Sequence, residues 1–594
     1  MDFISREDLS FLLHDWLNVT ALTGREAFGE HSRDTFDAVL DLAADLARDT
    51  FAPHYKAADA NEPRLVDGKV ETLPAIAEAL ATYAEMGFFA SSFPEEVGGM
   101  QLPSVVSSAA FAHFCAANLA TAAYPMLTAG NARVLVEFGN QAQIDAWAKP
   151  QVEGRYFGTM CLSEPQAGSS LADIRTKAVP EGSDDYGDRY RIKGNKMWIS
   201  GGDQQISENI VHLVLSKAPD ENGVQQPGIK GISLFVVPKI LPDGARNDVA
   251  VAGLNHKMGY RGTVNCLLNF GEGEGAIGWR IGQPGQGLAL MFQMMNEARI
   301  MVGLGAAAMA YRGFTQSLDY ARERPQGRPS GQKDPSSPMT AIVEHADVKR
   351  MVLSQKAIAE GAMALVLYSA RLVDEIKTGA DAATRARADA LLGLLTPITK
   401  SWPSEFGLVA NDHAIQIHGG YGYTREYDVE QIYRDNRLNP IHEGTYGIQG
   451  MDFLGRKVMG DKGAALAILG EEIAKTTARA AQVPALAKMA AELTRYFNEG
   501  CVAIAELQDR ADPNRLMDNA GQALSAFGHI VTAWLWLEQA LVAKGLDDSR
   551  ARLRDGKLAT CRFFFEVELP KVSHQLHLLR SANDAAAAVS SDLF

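Results

Sequence analysis

Cysteine is scarce in this chain: five residues, Cys115, Cys161, Cys266, Cys501 and Cys561, in 594. They are odd in number, far apart and free of any Cys-x-x-Cys pair, which argues against a disulfide framework or a zinc site and for a reduced, cytoplasmic setting. Positive charge is in deficit too, with 57 Lys and Arg against 72 Asp and Glu, a net charge of -15 and no basic tract. A broad nucleic-acid-binding surface is therefore not expected. No uninterrupted apolar run reaches the roughly 18 residues of a membrane-spanning helix. The first residues, MDFISREDLSFLLHDWL, carry acids where a secretory leader carries bases, and no small-residue cleavage site follows. Also missing are a βαβ alternation and a Gly-x-Gly-x-x-Gly that opens a helix, so a Rossmann-type nucleotide site is disfavoured.

What the chain does have is a change of texture along its length. It is too long for one hydrophobic core and suggests roughly three to five domains. Residues 1–155 are rich in Ala and Leu at helical spacing, as in FDAVLDLAADLA and LPAIAEALATYAEMGFFA, and predict an N-terminal helical domain. Over 156–275, short β-branched and aromatic runs such as NIVHLVLSKA and GISLFVVPKI alternate with Gly, Pro, Asp and Asn, predicting a central β domain. Helical texture returns over 284–460, interrupted by RPQGRPSGQKDPSSPM, a polar, proline-bearing insert that reads as a surface loop. A further Ala-rich helical stretch, read as a separate domain, fills 464–594 and ends in the low-complexity SANDAAAAVSSDLF. The expected fold class is α+β, mainly α.

Several polar features sit within this framework. On the helix beginning near Gly287, residues Leu288, Phe292, Met295 and Arg299 follow steps of four, three and four and share one stripe. Arg299 is then either a stripe-edge arginine with its head in water, or a cation inside a cleft that needs an anion or a ligand carbonyl. MCLSEPQAGSS, 160–170, leaves a strand and turns through Pro165 and Gly168, offering backbone N–H groups and the hydroxyls of Ser163 and Ser169. KGNKMWIS, 193–200, places Trp198 and Ser200 on one side of a strand by period two, although core packing is the commoner role of such an indole. QIHGGYGYT, 416–424, ends a helix in two glycines that permit close backbone approach. NPIHEGTYGIQG, 439–450, isolates Glu443 between Ile441 and Gly444-Thr445; as an acid in a first helical turn it would merely complement the macrodipole.

In this order the segments resemble acyl-CoA dehydrogenases. Ser163 to Ser169 matches the family's Ser/Thr-Glu-Pro-x-Ala-Gly-Ser loop, and Met197 to Ser200 its Met-Trp-Ile-Ser/Thr strand. KMGYRGT at 257–263, the helix of Arg299, YARERPQGR around Arg324, the motif from Gln416 to Tyr423 and YRDNRLNPIHEGT leading to Glu443 complete a match over about residues 80–455. The insert near 330 and the extension after 464 resemble the long bacterial members, 3-methylmercaptopropionyl-CoA dehydrogenases among them. The resemblance implies a helical domain, a barrel-like β domain, a helical bundle bearing the catalytic acid, and an extra C-terminal helical domain. It implies FAD as cofactor, contacted by Met160, Leu162, Ser163, Ser169, Trp198, Ser200, Arg324, Gln416, Gly419, Gly420 and Thr445. It further implies an acyl-CoA path lined by Ser169, Asn296, Arg299 and Gly444, with Glu443 as the base and no metal. The chain departs from the family pattern at Ser170 and Asn296, where Asp is common, in RPQGR, which lacks a Phe before Gly, and at Gly447, where many members carry a flavin-contacting Gln.

A thioester α-proton is too weakly acidic for any side chain unless the enolate-like charge on the carbonyl is stabilised. The resemblance assigns that role to the backbone N–H of Glu443 and the ribityl hydroxyl of FAD. Covering by the acyl chain would raise the proton affinity of Glu443 toward neutrality. The β-hydride would pass to flavin N5, leaving a trans-2-enoyl-CoA as in fatty acid β-oxidation. His442 reads as packing, and His418 as structural or cofactor-lining. Electron-transferring flavoprotein is the implied electron acceptor and a homodimer the favoured assembly. A flavin oxidase and a DNA-binding alkylation-response flavoprotein are the alternatives; the acidic balance and Glu443 argue against the second.

Overall fold

The computed structural model describes residues 3–594, apart from the side chains of 292–295. Phe292 and Met295 of the expected stripe therefore lie outside the described residues. By packing, the chain divides into two units: Asp34–Pro103 with Ala117–Ala298, and Met1–Arg33 with Ser104–Ala116 and Arg299–Phe594.

The first of these is built on strands. A hairpin of β1 (Arg64–Val66) and β2 (Lys69–Glu71) falls inside the segment expected to be helical. Its turn holds Asp67 at φ 48° and Gly68 at φ 73°, the paired left-handed geometry that Asp-Gly favours. The main sheet has eight strands: β3 (Tyr156–Cys161), β4 (Lys177–Asp184), β5 (Gly187–Ser200), β6 (Asn209–Lys217), β7 (Ile232–Pro238), β8 (Val249–Leu254), β9 (Asn265–Phe270) and β10 (Ala276–Ile281). β10 pairs with both β7 and β5, and the path β7-β6-β4-β5 completes a circuit, so five strands close into a barrel. β9 and β8 continue outward from β5, and β3 lies parallel on β6. All seven residues of β7 and eight of nine in β6 are buried, which is why these two read as unbroken apolar runs instead of alternating ones. The stretch of helix after Ala117 backs this sheet: Asn131 donates to the carbonyls of Thr159 at 2.9 Å and Val211 at 2.8 Å.

The other unit is helical. Gly287–Glu323 enters it at Arg299, and Ala346–Thr378 packs antiparallel with Ala382–His418. Ser104–Phe138 and Ala346–Thr378 are long and apolar enough to cross a membrane by composition, but their apolar windows are 94% and 83% buried inside the protein, as core helices are. The C-terminal extension packs within this unit. Its helix Ala520–Ala543 is buried on almost every side, and Trp536 donates to the Ala357 carbonyl at 3.1 Å. Lys557, on Ala551–Phe563, pairs with Glu360 at 2.9 Å and with Asp8 near the N-terminus. The insert 324–341 is an exposed loop closed at its base by a bridge between Pro325 and Ala341.

Candidate functional site

After helix Val429–Asn436 the chain turns before the short helix Tyr446–Met451, whose N-cap is Thr445. Glu443 lies ahead of that cap, so it is not an acid of a first helical turn. It adopts φ 53°, followed by Gly444 at φ 92°. A left-handed non-glycine residue costs roughly 1–3 kcal/mol and persists where its surroundings over-determine it. Here two side chains hold the turn: Gln449 Nε2 donates to the Glu443 carbonyl at 2.9 Å, and Lys400 Nζ donates to the Gly444 carbonyl at 2.8 Å.

Glu443 is half-buried as a residue, while its carboxyl lies deep among protein atoms. Burial pushes its carboxyl up from the ordinary glutamate range, against the pull of Lys400 and Arg299. Arg299 is 4% exposed and bonds Asp452 Oδ2 through Nη1 at 2.6 Å. The open question about Arg299 is thus answered by a cation held inside, with an anion supplied from the helical turn after Met451. Among the described residues its Nε and the Oε1 of Gln449 are buried without a partner, polar atoms left for a ligand or water. Lys400 is fully buried, and desolvation, opposed by Glu443 and helped by Arg299, brings it down to about 7. His442 contacts Asn439 Oδ1 at 3.0 Å, and burial and Lys400 push its imidazole down to about 3, so it is neutral and no competing base. Asn296 is half-buried on the Arg299 helix, and Thr445 is exposed.

A second cluster in the helical unit joins residues about 90 apart in sequence. Helix Ala382–His418 ends at Gly419, with φ 59° and ψ −134°, a conformation suited to glycine alone. No atom lies within 4 Å of where a Cβ would stand on Gly419 or Gly420, so the turn is open to close approach. Gln416 is exposed one turn earlier, and the Arg324 guanidinium sits 5.8 Å from the centre of the Tyr421 ring. His418 is buried, stacked on Tyr320 at 4.3 Å, and shores up this turn from within. An exposed guanidinium beside an unobstructed glycine turn is suited to a diphosphate.

In the sheet unit, the loop after β3 is pinned from inside by Glu164. Its carboxylate accepts from the backbone of Arg175 at 2.6 Å and Thr176 at 3.0 Å, from the Thr176 hydroxyl at 2.6 Å and from Lys196 at 3.0 Å. Burial alone would raise this acid, yet Lys196 and these donors bring it down to about 2. Lys196, fully buried, also donates to the Leu162 carbonyl at 3.0 Å, and Met197 N–H donates to the Ser163 carbonyl at 3.0 Å, tying the loop to β5. Met160, Leu162 and Ser163 are half-buried and Ser169 exposed.

The period-two placement of Trp198 and Ser200 needs correction. A bulge between Lys196 and Ile199 breaks the ladder with β9, and Trp198 adopts φ 66°. A bulge re-aims the side chain it carries, and the indole is 60% exposed, which rules out core packing. Ser200 rejoins the ladder opposite Asn265 and accepts from its side chain at 3.2 Å. An exposed indole beside a hydroxyl-bearing loop suits a flat ring system such as the isoalloxazine of FAD.

Sequence reasoning missed Lys400, Gln449, Asp452 and the Lys196–Glu164 pair. Lys400 had a signal, as the one charged residue between Asp389 and Glu405 in the apolar run LLGLLTPITKSW. The others gave none, because their partners are set by the fold.

Comparison with known proteins follows the same lines. Models of the acyl-CoA dehydrogenase N-terminal, middle and C-terminal domains match residues 33–155, 159–272 and 285–459, and a model described as acetyl-CoA dehydrogenase C-terminal like matches 469–590. The chain is 34% identical to a 3-methylmercaptopropionyl-CoA dehydrogenase of Ruegeria pomeroyi, over 97% of each chain. It is 33% identical to a broad-specificity linear acyl-CoA dehydrogenase of Mycobacterium tuberculosis, over 99% of this chain and 97% of that one. Its fold matches a Bacillus anthracis acyl-CoA dehydrogenase complexed with FAD at a TM-score of 0.73 and 20% identity, covering 98% and 93% of the two chains.

Proposed function

The chain belongs to the acyl-CoA dehydrogenase family, an FAD-dependent family of oxidoreductases, and from that premise we propose that it oxidises a saturated acyl-CoA to the trans-2-enoyl-CoA with Glu443 removing the α-proton. The observation that carries the reading is the Glu443 turn: a carboxyl of raised proton affinity, on a left-handed backbone that Gln449 and Lys400 hold in place. A base should be poised near the operating pH and positioned before substrate arrives. Glu443 accepts the proton on a carboxylate oxygen, and an acyl chain laid over it completes the exclusion of water. The orphaned Nε of Arg299 offers a donor to a polar atom of the substrate. FAD, when bound, supplies the acceptor for the β-hydride. Trp198, Ser163 and Ser200 would hold its ring system, and Arg324, Gln416, Gly419 and Gly420 its diphosphate and adenosine. The same reading takes an electron-transferring flavoprotein as electron acceptor, a homodimer as the assembly and the cytoplasm as the setting.

The test is anaerobic addition of linear, branched and thioether acyl-CoAs to FAD-loaded protein. At least one should bleach the flavin and yield the enoyl product by mass spectrometry. Protein that takes up no FAD, or flavin that no acyl-CoA bleaches, refutes the assignment. Rapid peroxide formation in air would make it an oxidase.

A further inference from the structure

Lys400 occupies the middle of helix Ala382–His418 with no exposed surface. Among the described residues its ammonium makes a single hydrogen bond, to the neutral carbonyl of Gly444. A buried ammonium needs an anion nearby, so the charged groups around it decide its role. Arg299, the other cation facing this space, is already neutralised by Asp452, which Arg456 also approaches at 3.6 Å. On the same helix Glu405 is turned to Tyr446, and burial pushes its carboxyl up toward the neutral form. His442 and, on helix Ala520–Ala543, His529 are both buried and pushed down, to about 3 and about 4, so neither carries charge near neutrality. Among the described residues this leaves Glu443 as the anion that compensates Lys400.

We propose that Lys400 is a positioning residue for the base: it fixes the Glu443–Gly444 turn through the Gly444 carbonyl, and its ammonium is the cation that balances the Glu443 carboxylate. This rests on the reading of Glu443 as the base. One contact serves both ends, because the Gly444 carbonyl belongs to the residue that follows the acid. Burial opposes ionisation of Glu443 and Lys400 separately, and each favours the charged form of the other.

The experiment is the pH profile of anaerobic flavin bleaching, using the acyl-CoA that bleaches wild type best, for wild type, Lys400→Gln, Lys400→Met and Lys400→Arg. Lys400→Gln can still donate to Gly444 but carries no charge, and it stands in if Lys400→Met does not fold. In both neutral variants the acid limb should move up by about one pH unit, with the rate recovering on the alkaline side. Lys400→Arg should return the limb toward its wild-type position. A limb that stays put in the neutral variants, with the rate lowered equally at every pH, overturns the proposal and leaves Lys400 a matter of shape. If Glu443→Gln bleaches as fast as wild type, the base assignment falls and this inference with it. An unmoved limb in a protein whose Glu443→Gln variant is inactive sinks the inference alone.

Discussion

Replacing Glu443 with glutamine tests the centre of the account. Gln449 and Lys400 grip main-chain carbonyls and leave the side chain free, so the turn should keep its left-handed geometry when one carboxylate oxygen becomes an amide. The variant then loses the base and, with it, the anion that faces Lys400. Removal of a general base costs about 10²–10⁴-fold in rate, or roughly 3–5 kcal/mol of transition-state stabilisation. His442 is the nearest candidate to substitute in sequence, but it is held by Asn439 and its imidazole is pushed down to about 3, so it would bring no rescue and the upper end of that range is expected. For stability two effects oppose each other, relief of a buried carboxylate and loss of the anion that compensates Lys400. Because burial raises the Glu443 carboxyl in the folded protein, its contribution to stability is full below the unfolded glutamate value, about 4.3, and is lost as pH rises through the folded value. Relief of the buried carboxylate favours the variant above about pH 4 and the uncompensated Lys400 ammonium opposes it, so the FAD-free variant should melt close to wild type at neutral pH. The assays are stopped-flow bleaching with acyl-CoA and thermal melts across pH. A rate loss under about tenfold refutes the reasoning.

Other consequences can be checked separately. Trp198→Ala removes an exposed, left-handed indole, so the FAD-free protein should melt as wild type does while FAD dissociates about tenfold more readily, the worth of one aromatic contact; unchanged retention by equilibrium dialysis would deny the indole its role. Lys557→Met leaves Asp8 without its cation in the core, while Glu360 keeps Lys356, and it removes the bond to Gln539 at 3.0 Å; it should cost about 3–5 kcal/mol in urea unfolding. A cost below about 1 kcal/mol would mean that the extension is not braced to the N-terminus through this lysine. Lys196→Met leaves Glu164 buried and without its cation, so amide exchange over 162–176 should rise and FAD retention fall; unaltered exchange there would show that the loop is held by its backbone bonds alone.

Features that depend on neighbours in sequence were legible before the fold. Helical periodicity, the β-branched runs of β6 and β7, the glycine pair at 419–420 and the isolated acid at 443 are local patterns, read from a few residues at a time. Even the Asp67-Gly68 hairpin was written there, though the helical texture around it drowned it out. Tertiary structure alone decided which groups meet. Lys400 reaches a carbonyl 44 residues away and Arg299 an aspartate 153 residues away, and the strain at Glu443 is tolerable only because such distant partners hold it. Trp198 is the sharpest case: strand alternation turned it one way, and a bulge against β9 turned it out to solvent. Local patterns follow from the geometry of a helix or strand, whereas pairing, register and charge compensation arise only when remote segments compete for one low-dielectric interior.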